Sequence, residues 1–200
     1  MSAFDNASAS FAGARHDHGA CVRGALGTAA RLCAERGARL TPLRRRVLEL
    51  VWRGHAPGSH APGGHAPVGA YDLLARLSSN RGTAKEKGSA RETRPAAPPT
   101  VYRALEFLLA QGLIHRIESL NAYIGCMHPE GAHGGQFLIC SDCGAAAEVH
   151  DPRVDAAVAR RAKELGFAVR HKTIEVEGVC SPCQRRQESG QRRQEAGRGC

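Results

Sequence analysis

Aromatic residues are scarce: Phe, Trp and Tyr together make up 4% of the 200 residues, and there is a single Trp. Cores without large rings are small, so a domain built from this composition gains from a metal ion or a second chain. Long apolar runs are missing as well. None approaches the ~20 residues that a helical membrane span needs, which excludes that class of protein. Residues 1–19 contain no apolar stretch flanked by basic residues, so no signal peptide is expected and the chain reads as soluble and cytoplasmic. What remains is 42% hydrophobic and 24% charged, enough for packed domains and against wholesale disorder.

The charge is unevenly spread. Residues 1–118 carry 17 Lys and Arg against 9 Asp and Glu, whereas residues 119–183 carry 6 against 8 and residues 184–200 carry 5 against 2. A basic front half joined to a near-neutral back half points to a polyanion partner for the front half; Arg-rich codon usage is the bland alternative.

The 8 cysteines are placed for metal rather than for disulfides. Four fall in two C-x-x-C pairs, Cys140/Cys143 and Cys180/Cys183, with 36 residues between the pairs. Each pair offers two thiolates on one tight turn, and four thiolates complete a tetrahedral zinc site. A redox-active disulfide and an iron–sulfur cluster are the competing readings. Cys21, Cys33, Cys126 and Cys200 are scattered. His115, Cys126, His133 and Glu148 form a looser set of donors, each with an ordinary structural reading when taken singly.

Along the chain, residues 1–20 are small and polar and read as disordered. A helix is expected from about Val22 to Arg36, stopped at Gly37. The next has Thr41 as N-cap and Pro42 at its first position, and ends at Gly54. Inserts follow at 54–67, where His55, His60 and His65 each open a His-Ala-Pro, and at 79–98. They flank a short helix from Ala70 to Leu77. The most regular segment is Pro99–Gly112, with Thr100 as N-cap. At 100° per residue Val101, Ala104, Leu105, Leu108 and Leu109 share one face, with Arg103 and Glu106 opposite and Tyr102 and Phe107 at the edges. Leu113–Glu118 and Ala122–Gly125 then read as two strands around a turn at Ser119–Asn121. Helices followed by a β-hairpin on a basic background outline a winged helix-turn-helix, whose second helix enters the major groove. Beyond it, strands at Phe137–Cys140, Ala145–His150 and Phe167–Val179 surround a helix from Pro152 to Leu165. That small α/β unit should need zinc or a partner subunit.

Several segments carry a family resemblance: Thr41-Pro-Leu-Arg, Ala70-Tyr-Asp-Leu-Leu, Pro98-Pro-Thr-Val-Tyr-Arg-Ala-Leu, Phe137-Leu-Ile-Cys-Ser-Asp-Cys-Gly and Gly166-Phe-Ala-Val-Arg-His. Together they resemble the ferric uptake regulator family, in particular its zinc-sensing branch. The resemblance implies an α+β chain: an N-terminal winged-helix DNA-binding domain (21–124) followed by an α/β dimerisation domain (125–183), then a basic disordered tail (184–200). It implies a structural zinc on Cys140, Cys143, Cys180 and Cys183, and a regulatory zinc near the hinge on His115, Cys126, His133 and Glu148, about two zinc ions per subunit. His128 is the alternative to His133. A Tyr and an Arg that contact DNA in the family align with Tyr71 and Arg103, and Thr100 and Tyr102 are further candidates on the same helix. The His-rich cluster that iron- and peroxide-sensing members carry before the first C-x-x-C is absent. A ligand set of two imidazoles, one thiolate and one carboxylate also suits zinc better than iron.

The function so implied is zinc-dependent repression by a homodimer on a palindromic double-stranded operator, with zinc-uptake genes as its targets and no membrane or small-molecule substrate. An iron- or other-metal-sensing member of the same family is the alternative. A zinc enzyme is favoured less. His128-Pro-Glu130 echoes the deaminase H-x-E, but the order Cys180-Ser-Pro-Cys183 does not match its partner motif, and a four-cysteine site leaves no open position. A zinc store would explain 10 histidines but not the winged helix.

Overall fold

The computed structural model describes residues 17–54, 66–79, 98–131 and 134–197. The three His-Ala-Pro repeats, most of the 79–98 insert and His133 lie outside them, apart from Ala66 and Pro67. The chain divides into two compact units, residues 16–56 with 67–130, and residues 131–200 together with short segments that lie almost wholly outside the described residues.

The first unit begins with α1 (His18–Glu35), α2 (Pro42–Arg53), the two-residue strand β1 (Val68–Gly69), α3 (Ala70–Ser79) and α4 (Pro98–Ala110), and ends with β2 (Ile114–Ile117) and β3 (Ala122–Gly125). α1 starts inside the segment expected to be disordered, because Asp17 acts as its N-cap: its carboxylate accepts from Ala20 N–H at 3.0 Å. α2 is capped as its sequence foretells, with Thr41 Oγ1 accepting from Arg44 N–H and Pro42 at the first turn. α4 corrects an expectation. It begins at Pro98, so Thr100 lies within the first turn rather than capping it. Pro98 and Pro99 have no N–H to leave unsatisfied there, which is why the helix can start on them. Its end is as read: Gly112 has φ +65°, and Leu113 N–H closes on Leu108 O at 3.0 Å.

β2 and β3 pair antiparallel, with His115 opposite Ile124 and Ile117 opposite Ala122, and β1 adds to the other edge of β3. β1 is too short and too close to Pro and Gly to register as a period-2 pattern. One core serves the unit: Leu26, Ala29 and Leu32 of α1, Val47, Leu48 and Val51 of α2, Leu73 of α3, Val101, Leu105 and Leu108 of α4, and Ile114 of β2 are all buried in it.

The second unit is a three-stranded sheet in the order β5-β4-β6, formed by β4 (Gly135–Cys140), β5 (Ala146–Glu148) and β6 (Thr173–Gly178), with α5 (Pro152–Glu164) and α6 (Ser181–Gly197). β4 and β5 form an antiparallel hairpin, and α5 is the crossover that lets β6 run parallel to β4. Gln136 holds the start of α5: its Nε2 donates to Asp151 O at 3.1 Å and to Asp155 Oδ1 at 2.6 Å, and its Oε1 accepts from Asp151 N–H at 3.2 Å. Lys172 pairs with the same Asp155 carboxylate.

Two further expectations are corrected here. Residues 167–172 are not strand: the chain leaves α5 through Gly166 at φ +65° and reaches the sheet only at Thr173, leaving Phe167 67% exposed. The tail is helical through Gly197 rather than disordered. Its Gln, Arg, Glu and Ala residues are good helix formers, and the turn at Cys180–Cys183 starts the helix, with Gln184 N–H donating to Cys180 O at 3.0 Å.

Candidate metal centre and nucleic-acid interface

The first C-x-x-C is a tight turn at the end of β4. Gly144 N–H donates to Cys140 O at 2.9 Å, Cys140 N–H to Ala145 O at 2.8 Å, and Gly144 takes φ +69°, where a side chain is strained. The second is the first turn of α6, closed by Cys183 N–H to Cys180 O at 2.9 Å. Ser141 joins the two turns by donating from its backbone N–H (2.8 Å) and its hydroxyl (3.1 Å) to Gly178 O.

All four sulfurs lie within 4.8 Å of one another, as thiols and not disulfides. Tetrahedral zinc with Zn–S near 2.3 Å separates sulfurs by about 3.8 Å. Cys143 Sγ and Cys180 Sγ are 3.8 Å apart, so the donor set fits the ion.

The electrostatics fit a cation too. Burial pushes the Cys140 thiol up, but N–H groups of Cys180, Cys143 and Asp142 aimed at its sulfur outweigh burial and bring it below the usual thiol range. Burial and the neighbouring sulfurs push Cys143 up, and burial does the same for Cys180. Cys140 is therefore poised to lose its proton readily, while Cys143 and Cys180 hold theirs until positive charge arrives. Outside the four sulfurs, the Arg186 guanidinium donates to Cys183 Sγ, an interaction that the motif spacing alone did not foretell.

The looser donor set begins in the first unit. His115 is on β2, and Cys126, directly after β3, extends the register opposite Leu113, where its N–H donates to Leu113 O at 3.1 Å. His115 and Cys126 are thus a diagonal cross-strand pair, with ligand atoms within 4.8 Å of each other. Three contacts fix this backbone and the chain that follows it. Gly125 lies against the Trp52 indole so closely that a Cβ would overlap it. Downstream, Arg36 donates to Pro129 O at 3.1 Å and Arg31 pairs with Glu130. Glu148, buried at the end of β5, belongs to the second unit.

The other candidates are on the helices of the first unit. α4 buries Val101, Ala104, Leu105 and Leu108 and turns Tyr102, Arg103 and Glu106 outward; Thr100 is exposed in its first turn. Tyr71, at the start of α3, is 79% exposed. Arg44 of α2 lies 3.6 Å over the Phe107 ring and braces α4 from behind. Among the described residues, no helix is long and apolar enough to cross a membrane.

Comparison with known proteins follows the same lines. Residues 90–177 match the ferric uptake regulator family. The zinc uptake regulation protein of Escherichia coli K12 is 39% identical over 160 residues, covering 79% of this chain and 80% of its own. That of Mycobacterium tuberculosis is 36% identical over 87 residues, 42% of this chain and 64% of its own. In three dimensions the fold is similar to a zinc uptake regulator complexed with zinc and DNA (TM-score 0.68, 36% identity, 84% of this chain and 97% of that one). It is also similar to the holo form of the regulator XcZur (TM-score 0.63, 39% identity, 80% and 96% of the two chains).

Proposed function

The chain belongs to the ferric uptake regulator family, and we propose that within it this protein is a zinc-responsive transcriptional repressor, binding palindromic operators as a zinc-loaded homodimer and controlling zinc-uptake genes. One observation carries the zinc reading: an imidazole and a thiol, His115 and Cys126, are paired at the end of the wing, in the unit that also carries α4 with its exposed Arg103. A thiolate in a mixed N, S, O set favours zinc over iron.

In this reading Cys140, Cys143, Cys180 and Cys183 hold a structural zinc, while His115, Cys126, His133 and Glu148 hold a regulatory one, about two per subunit. When bound, zinc supplies positive charge and a fixed tetrahedral geometry to ligands drawn from distant parts of the sequence. The 21–124 segment is the DNA-binding domain and 125–183 the dimerisation domain. In the former, Arg103 presents its guanidinium to a base edge or phosphate, with Thr100, Tyr102 and Tyr71 beside it. Arg44 and the buried face of α4 keep the helix in place under that load.

The dimer reading draws support from α5, which buries none of its residues. Its Val154 and Val158, with Leu165, Phe167 and Val169 after it, leave an apolar surface exposed that a second copy would cover. The family is one of transcription regulators, and no catalytic step is assigned; action on the genome fits a cytoplasmic site.

Titrating zinc against a chelator while measuring affinity for a zinc-uptake operator tests the function. Affinity should rise steeply with zinc and much less with ferrous iron. A protein that binds equally well with chelator in excess, or that answers to iron alone, is not a zinc-responsive repressor.

A further inference from the structure

Past Cys183, the described side chains of α6, residues 184–189, are all exposed and pack into no apolar core. Polar contacts hold its first turns instead. Gln184 Nε2 donates to Val179 O at 2.6 Å, and Gln187 Nε2 donates to Asp142 Oδ2, within the first C-x-x-C turn, at 2.7 Å. Between these two glutamines, Arg186 directs its guanidinium at Cys183 Sγ, one helical turn back.

We propose that Arg186 is a positioning residue for the four-cysteine metal centre, acting through the Cys183 thiolate to retain the ion. The proposal rests on reading those cysteines as a zinc site. Four thiolates around a divalent ion carry a net double negative charge, and much of this cluster is buried, with Cys140 1% and Cys183 1% exposed. Charge left uncompensated in such a place destabilises the loaded site and favours loss of the metal. A guanidinium donating to one sulfur offsets part of that charge and so favours the metal-loaded, anionic form of the site. It also draws electron density from the sulfur, which lowers its charge-transfer donor strength while the buried charge of the loaded site is better balanced. Gln187 acts differently, tying the helix to the opposite C-x-x-C turn through Asp142 rather than through a sulfur.

The consequences separate in one experiment on the full-length chain in a Cys126→Ser background, where the thiolate ligands of bound cobalt come from the four-cysteine set. With cobalt(II) loaded, Arg186→Ala should shift the sulfur-to-metal charge-transfer band to lower energy, since the sulfur regains donor strength. With zinc loaded, transfer of the ion to a chelator should become about 10-fold faster, the lower end of what outer ligand partners contribute. Arg186→Lys, which keeps the charge and a single donor, should recover part of both effects. Gln187→Ala, which loosens the same turn, should leave the band where it is. A wild-type band and wild-type zinc release in Arg186→Ala overturn the proposal, as does an equal band shift in Gln187→Ala, which would make helix docking the whole effect. If the Cys126→Ser chain shows no cobalt–thiolate band at all, the zinc-site reading fails first and takes the proposal with it.

Discussion

Four thiols brought within 4.8 Å of one another form an arrangement that folding alone does not favour. Each lost proton makes the next harder to lose, and burial raises Cys143 and Cys180 further. If these thiols hold zinc as proposed, metal binding is coupled to folding of this unit, and Cys140→Ser or Cys183→Ser should unfold it, since zinc binding in small domains contributes on the order of 10 kcal/mol. Circular dichroism and zinc content check this together; a folded, zinc-free second unit refutes it. The spacing of these cysteines was legible in the sequence because C-x-x-C turns are local. Arg186 was not, because its bond to Cys183 depends on the helix that the tail forms. On α4, Arg103 was legible for a different reason: the apolar periodicity left it only an outward direction. Arg103→Ala should cost roughly 1–3 kcal/mol of operator affinity if the side chain reads a guanine edge. If it meets phosphate alone, the loss should be uniform across sequences, with a flatter salt dependence. Unchanged affinity in an electrophoretic or anisotropy assay would remove α4 from the interface.

Elements were readable where their ends carry chemistry. Thr41-Pro42 and Asp151-Pro152 announce helices, and Gly37, Gly112 and Gly166 end them at positive φ. Where the ends carry no such signal the sequence misleads: α4 starts on two prolines ahead of Thr100, and the strand after α5 begins at Thr173 rather than Phe167. That second error is instructive. Phe167 and Val169 look like strand residues because they are apolar, yet they are exposed, like Val154 and Val158 of α5. Apolar character at these positions serves a surface, not the internal sheet. A charge placed there by Val158→Glu would meet its own symmetry mate at a two-fold interface, losing apolar burial and adding repulsion on both sides. The dimer dissociation constant should rise by at least about 100-fold, equivalent to about 2.7 kcal/mol. Sedimentation should then show monomers whose four-cysteine zinc is intact and whose operator affinity is lost. A dimer of unchanged strength would mean that another surface joins the subunits.

At the scale of the whole molecule, the charge asymmetry and the ligand sets divide the work. The basic residues concentrate before position 118, while the four-cysteine set lies wholly in the second unit and His115 and Cys126 in the first. A ligand set that also draws on His133 and Glu148 would make metal occupancy and DNA binding thermodynamically linked, because affinity scales with the fraction of molecules in a binding-competent arrangement. The two zinc roles should therefore come apart under mutation. Cys126→Ser or His115→Ala should leave the protein folded and dimeric, with the four-cysteine zinc retained and about one zinc per chain lost. Operator binding by such a variant should stay at its metal-poor level however much zinc is added, since a ligand that does not distinguish two states cannot shift them. Glu148→Ala should give a partial version of the same phenotype, with water able to replace a carboxylate oxygen while the nitrogen and sulfur donors remain. The readouts are zinc stoichiometry, sedimentation and operator affinity across a zinc titration. Full zinc-dependent binding by Cys126→Ser would reduce Cys126 to a buried thiol supporting the wing, and the sensing ligands would then have to include His128, His150 or His171 instead.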